Sequence, residues 1–208
     1  MTRRAADSEG IAEAARQIAA GKVVAFATDT AYGLGARPDD PAAIEAIYAL
    51  KGRPAHMPLI LLAADARDFA GWADLGRSEL AERLSREFWP GPLTLVVTAG
   101  PRSPRRIATP EGTVGVRIPA HPAARSLLQL TGPLATTSAN RSGGPSPRSA
   151  GDVEQQLGDD DLLALVLDAG PTYHAADSTV LSLAGAPRIL RSGALSAEQL
   201  GLPGSGDL

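Results

Sequence analysis

Cysteine is absent from the 208-residue chain, which excludes disulfides, thiolate zinc sites, iron–sulfur clusters and cysteine nucleophiles at once. Aromatic residues are scarce at 4%, so the core has to be filled by the aliphatic part of the 44% hydrophobic content. The three histidines, His56, His121 and His174, share no metal-ligand spacing, and no dedicated metal site is expected. No apolar run approaches the ~20 residues that span a bilayer. The opening MTRRAADSEG has no apolar stretch of the signal-peptide kind. A cytoplasmic protein without membrane association is the expectation. Neither sign of charge prevails: 20 Lys and Arg against 23 Asp and Glu give a formal −3. That argues against a surface coated for non-specific nucleic-acid binding, while a local basic pocket stays open. The common phosphate signatures are missing too. There is no G-x-x-x-x-G-K-[ST], and GLGARP (33–38) stops at G-x-G.

What is present is an alternation of helical and extended patterns. Ser8 is placed to cap a helix through Ala20, with Gly21 as its stop. KVVAFA (22–27) reads as a buried strand, and TDTAYGLGA (28–36) as a polar turn. Asp40-Pro41 opens a helix whose Ala43, Ile44, Ile47 and Tyr48 face inward. Strands are expected at 58–63, 93–98, 113–119, 134–138, 162–168, 178–183 and 188–191, the last two joined in a hairpin across AGAP. Further helices are expected over 78–88, over 121–130 with a stop at Gly132, and up to Leu157 after a mobile-looking stretch, 139–149. The hairpin and closely spaced late strands imply α/β architecture: one domain over 1–208, core about 8–200, with a twisted mixed parallel/antiparallel sheet, flanking helices and frayed ends at 1–7 and 201–208.

Several strand ends carry hydroxyls or cations. Thr28-Asp29-Thr30 suits hydrogen bonding to a carboxylate or phosphate, or simply local bonds of a strand exit. In ALKGRPAHMPL (49–59), Lys51 and Arg53 flank a glycine on a stiff turn. Such a pair can grip an anion, or merely lie against a helix C-terminus. In TVGVRIP (113–119), Thr113, Gly115 and Arg117 share one strand face, and the glycine leaves room for a ligand beside the guanidinium. The stretch TTSANRSGGPSP (136–147) concentrates Thr136, Thr137, Ser138, Asn140, Ser142 and Ser146 around two glycines. It follows a strand directly, where α/β proteins commonly place ligands. Asp177-Ser178-Thr179 and Arg191 complete the set. PRSPRR (101–106), with Arg102, Arg105 and Arg106, reads as a solvated loop or a flap over an anion.

Taken in order, TDTAYGLGA, IYALKGRP with PL beyond it, FWPGPLTLVV, VGVRIPAHP, TTSANRSGGPSP, DSTV and ILRSGAL resemble the YrdC family, the threonylcarbamoyl-AMP synthases. The matching pieces span 22–195. The resemblance implies a twisted mixed sheet with a positively charged concave face, in a short form without an appended domain. It also implies a reaction of L-threonine, bicarbonate or CO₂, and ATP, giving threonylcarbamoyl-adenylate and pyrophosphate. ATP would enter as a substrate, with Mg²⁺ its companion. A threonylcarbamoyl transferase complex would then modify adenosine in tRNA, to which the chain itself would bind weakly at most. By the same resemblance, Lys51 and Arg53 are catalytic and hold the triphosphate. Met57, Thr113, Ser138, Asn140, Ser146 and Arg191 fall at ATP positions. Thr30, Leu62, Arg117, Thr136 and Ser178 fall at threonine positions, with Arg117 suited to the carboxylate. Some positions depart from the family pattern. Ala27 replaces a proline, Met57 a lysine or asparagine, and Leu62 a place that can be polar; alanines precede DSTV where a glycine is common. A diverged paralogue of the same fold, acting as an RNA-binding or ribosome-associated module, is the alternative reading. A carbamoyl-adenylating domain of hydrogenase maturation would sit in a much longer chain.

Overall fold

The structure, a computed structural model, describes residues 1–54, 56–76 and 78–202. Among these the chain forms eleven strands, all in one sheet, and five α-helices. The strands are β1 (Thr2–Ala5), β2 (Val23–Ala27), β3 (Tyr32–Ala36), β4 (Ile60–Leu62), β5 (Ala73–Asp74), β6 (Leu93–Ala99), β7 (Thr113–Arg117), β8 (Leu134–Ser138), β9 (Leu163–Asp168), β10 (Thr179–Ser182) and β11 (Arg188–Arg191). The helices are α1 (Ser8–Ala19), α2 (Pro41–Lys51), α3 (Glu79–Phe88), α4 (Pro122–Thr131) and α5 (Ala150–Leu157). The sheet order is β1-β9-β2-β3-β8-β4-β7-β6-β10-β11, with β5 beside β6. Four pairs are parallel (β1·β9, β2·β9, β4·β7 and β6·β10) and the rest antiparallel. The expected mixed α/β sheet with flanking helices is therefore what the chain adopts.

Local chemistry sets most boundaries. Asp40 caps α2 by accepting from Ala42 and Ala43 N–H, Pro41 starts it, and Gly52 ends it at φ 60°. Ser149 and Asp152 form a reciprocal capping box on α5. The cap of α1 is Asp7 rather than Ser8, its carboxylate accepting from Gly10 N–H. Alternation along β2 divides the core into two layers. Val23, Ala25 and Ala27 join one cluster, with α2 and α5 residues such as Ile44, Ile47 and Val153. Val24 and Phe26 join the other, with Ile18 of α1 and Leu127 and Leu128 of α4. Each such fully buried aliphatic side chain contributes roughly 1.5–3 kcal/mol.

Three strands fall where none was expected, the shortest being the two-residue β5 beside β6. Tyr32–Ala36, read as part of a polar turn, is the buried β3 at the centre of the sheet. Thr2–Ala5, inside the expected frayed end, is the edge strand β1 on β9, tied down by Arg3 to Asp168 (2.7 Å) and Glu154 (3.2 Å). Of the other expected frayed end, residues 203–208 lie outside the described residues.

Candidate active site

Sheet register assembles the site. Gly33 pairs with Ser138, Ile60 with both Thr136 and Gly115, and Leu62 with Arg117. Alternate residues share a face, so these seven side-chain positions lie together on β3, β8, β4 and β7. They occupy the face that carries α1 and α4, since Leu62 and Leu134 belong to that core layer. A Cβ at Gly33 would stand 3.0 Å from Thr136 Cγ2, a tight contact to which the threonine would have to give way. The helices leave the middle of this face open, and a cavity of about 210 Å³ results. Its walls include Thr30, Arg53, Met57, Leu62, Arg117, Thr136, Ser138, Ser178 and Arg191.

Arg117 is the best-held of the cations. It is 4% exposed. Its Nε donates to Gly91 O (2.9 Å), Nη1 to Thr30 Oγ1 (2.9 Å) and Nη2 to Asp29 Oδ1 (2.7 Å). Three of five N–H groups are thus spent on bracing, leaving two for a ligand. Burial pulls the guanidinium below its ordinary pKa, and the fully buried Asp29 opposes that shift. The room expected beside Gly115 is filled by protein: a Cβ there would meet Ile60 Cγ2 at 2.8 Å and Thr94 Cγ2 at 3.5 Å. The open space lies further along, by Arg117.

Arg53 and Arg191 face the same cavity with no carboxylate partner among the described residues. Arg53 donates to Met57 O (3.2 Å) and Pro58 O (3.0 Å). Arg191 donates to Ser178 O (2.8 Å) and Ser178 Oγ (2.9 Å), and that serine also bonds Thr94 Oγ1 at 2.9 Å. Desolvation lowers the Arg53 pKa, and the charge of Arg191 weighs on both Arg53 and Arg117. Three guanidiniums within electrostatic reach of one another make a site for an anion.

Lys51, by contrast, is not on the cavity wall. It is 3% exposed, and its Nζ donates to Ser138 O (2.5 Å), Asn140 O (2.7 Å) and Asn140 Oδ1 (3.2 Å). It therefore holds the backbone of the Ser138–Asn140 turn from behind. Burial, with a smaller push from Arg53, draws the Lys51 pKa down to about 7, while the three oxygens favour the ammonium. Asn140 turns its Nδ2 to Arg141 O (2.8 Å) and Gly144 O (2.7 Å). Ser146 bonds Asp177 Oδ2 (2.8 Å), and Thr113 shares a 2.8 Å bond with Thr109. These three, too, stand outside the cavity lining. The stretch 139–149, expected to look mobile, is pinned through Asn140 and Ser146.

Two acidic residues of the candidate turns were given no role of their own. Asp177 lines the cavity and is held by Ser146 and by Arg148 Nη2 (2.8 Å), while Arg148 Nη1 also donates to Thr30 O. Asp29, read only as part of a hydroxyl-rich turn, is the buried partner of Arg117. Its position one residue before Thr30 was the available signal. The PRSPRR loop runs elsewhere. Arg102 lies over Trp72 (4.5 Å) and Arg106 over Tyr48 (5.2 Å) while pairing with Glu45 at 2.7 Å. None of its arginines lines the cavity.

Comparison with known proteins gives this arrangement a setting. The family described as telomere recombination, Sua5/YciO/YrdC, matches residues 16–193. A Mycobacterium tuberculosis protein provisionally named as a threonylcarbamoyl-AMP synthase is 42% identical over 194 residues, covering 93% of this chain and 88% of that one. The threonylcarbamoyl-AMP synthase of Bacillus subtilis is 44% identical over 197 residues, covering 91% of this chain and 55% of that one. The crystal structure of Pyrococcus abyssi Sua5 complexed with L-threonine superposes with a TM-score of 0.88 at 41% identity, over 96% of this chain and 58% of that chain. The chain thus spans little more than half the length of the last two.

Proposed function

The chain belongs to the Sua5/YciO/YrdC family, and on that premise we propose that it is an L-threonylcarbamoyladenylate synthase, a nucleotidyltransferase. Bicarbonate condenses with the α-amine of L-threonine to give the N-carboxylate and water. An oxygen of that carboxylate attacks the α-phosphorus of ATP, and the bond to pyrophosphate breaks. The observation that carries this reading is the braced Arg117 in one cavity with the uncompensated Arg53 and Arg191.

Arg117 presents its two remaining N–H groups to the amino-acid carboxylate, a bidentate geometry that fixes orientation as well as charge. Thr30, Thr136 and Ser178 supply hydroxyls around it, and Leu62 an apolar wall. Arg53 and Arg191 take the triphosphate and stabilise the charge that grows on pyrophosphate as it leaves, with Ser138 and Met57 beside them. Lys51 acts from behind by fixing the Ser138–Asn140 turn, and Asn140 and Ser146 hold the loop that follows. Thr113 serves at most as support for β7. No side chain is positioned as a covalent nucleophile, so orientation and electrostatics carry the rate. Among the described residues no group of three or more His, Asp and Glu could hold a metal ion. In this reading Mg²⁺ arrives with ATP, on phosphate oxygens and water. The adenylate passes to a threonylcarbamoyl transferase complex acting on tRNA; direct tRNA binding by this chain is weak. No helix among the described residues is long and apolar enough to cross a membrane.

The test is pyrophosphate release by the purified protein with ATP and Mg²⁺, adding L-threonine and bicarbonate separately and together. Release that needs both is the expected result. ATP binding without release would replace this reading by the diverged paralogue.

A further inference from the structure

Behind Arg117, two buried polar atoms lack hydrogen-bond partners: Asp29 Oδ2 and His121 Nε2. His121 caps α4, its Nδ1 accepting from Ala123 N–H at 3.2 Å. An acceptor at Nδ1 assigns the ring proton to Nε2. The ring is 4% exposed and lies flat on Tyr173, with centroids 5.0 Å apart and planes 17° from parallel. Asp29 is bonded around the same spot. Its Oδ1 accepts from Ala120 N–H (2.9 Å), next in chain to His121, as well as from Arg117. Its carbonyl accepts from the N–H groups of Tyr173 and His174. An orphan donor and an orphan acceptor therefore lie against the same two segments, and the charge of Asp29 acts on the His121 ring.

We propose that His121 is a positioning residue for the amino-acid half of the reaction: through one bridging water, its Nε2–H supplies the hydrogen bond that the second oxygen of Asp29 lacks, and so fixes the carboxylate on which Arg117 is braced. The physical need is clear on both sides. Two buried unpaired polar groups are costly, and one water with polar partners on each side satisfies them together. The side-chain torsion of an aspartate is also soft. Held through Oδ1 alone, the carboxylate pivots and carries the Arg117 fork with it, and small misplacements of a positioning group lower the rate steeply. Burial keeps the imidazole neutral by pulling its pKa down, against the attraction of Asp29. The half-exposed His174, whose Nε2 stands 4.0 Å from Asp29 Oδ2, makes no direct hydrogen bond there, and its ring has solvent as a partner, so it leaves no buried donor unpaired.

The inference rests on Arg117 being the threonine ligand, and the test separates the two. His121→Asn keeps a side-chain oxygen for the α4 cap and removes the Nε2 donor; His121→Gln reaches toward Asp29 with an amide N–H but gives up the cap. The expected result is a roughly tenfold rise in KM for L-threonine in H121N with the ATP KM within twofold, largely restored in H121Q despite its lower Tm. A wild-type threonine KM in H121N, or an equal rise in both KM values, overturns the role of His121 alone. A wild-type protein with no threonine-dependent pyrophosphate release overturns the Arg117 reading and this one with it. Nitrogen-15 spectra of the wild-type imidazole give a readout independent of turnover. The Nε2–H tautomer is expected, and an Nδ1–H tautomer overturns the proposal.

Discussion

Lys51 and Arg53 stand two residues apart, yet they do different work. Lys51 closes α2 and turns inward, where all three ammonium protons meet oxygens of Ser138 and Asn140. Arg53, past the left-handed Gly52, turns toward the cavity. Lys51→Met leaves three buried acceptors without a donor, and we expect it to cost about 1–3 kcal/mol of stability, read by urea denaturation, together with most of the activity. Arg117 separates stability from binding more sharply. Arg117→Ala strands the buried Asp29 carboxylate and is expected to destabilise by about 3–5 kcal/mol. Arg117→Lys keeps a charge for Asp29 but loses the planar fork; its KM for L-threonine should rise at least tenfold while that for ATP stays within about twofold, measured by steady-state pyrophosphate release. A matching change in both would remove Arg117 from the amino-acid subsite.

At the scale of elements, the segment between β8 and α5 shows how a glycine- and serine-rich stretch becomes rigid. Asn140 spans it through Arg141 O and Gly144 O, Gln156 Nε2 of α5 holds Pro145 O at 3.1 Å, and Ser146 and Arg148 clamp Asp177. Composition alone suggested mobility, because partners such as Asp177, Lys51 and Thr30 lie 31 to 118 residues away in sequence. Asn140→Ala removes two bonds and one Lys51 acceptor; we expect about 1–3 kcal/mol of lost stability and faster amide exchange at Gly143 and Gly144. Exchange rates like those of the wild type would show that the other clamps suffice. The missed strand β3 has a different cause. Tyr32–Ala36 is buried on both faces, so it shows none of the alternation that marks a half-exposed strand. Its glycines also mimic a turn. Gly35 is required because a Cβ would stand 2.6 Å from Phe26 Cε1. β1 was missed for the opposite reason, being exposed throughout and polar except at Ala5.

At the scale of the molecule, Tyr32 ties the centre of the sheet to the end of β9. Its hydroxyl donates to Gly170 O (2.7 Å) and accepts from Ala169 N–H (3.2 Å). Burial is the main cause that raises its pKa to about 12, with Asp168 adding to the shift. Between the ordinary tyrosine pKa of about 10 and that value, the folded chain holds a proton that the unfolded chain has released. The Tyr32 contribution is therefore fully present below pH 10 and is lost as pH rises through 12. Denaturation midpoints of the wild type should fall more steeply over this window than those of Tyr32→Phe. Parallel curves would place the hydroxyl in contact with water.

The sequence by itself determined what local chemistry controls. Caps and stops set the helix ends, as with Asp40, Pro41 and Gly52. Runs of aliphatic residues set most strands, and the absence of cysteine closed off whole classes of site. It also showed as candidates the hydroxyls and cations at strand ends that line the cavity, Thr30, Arg53, Arg117, Thr136 and Arg191 among them. Only the tertiary structure decided which of them point in. Lys51 and Arg53 are equivalent by spacing, but packing buries one against the Ser138–Asn140 turn and opens the other to the cavity. Asp29 becomes the brace of Arg117 only when two segments 88 residues apart meet across the sheet. Sheet register and burial are long-range properties, and no window of neighbouring residues contains them.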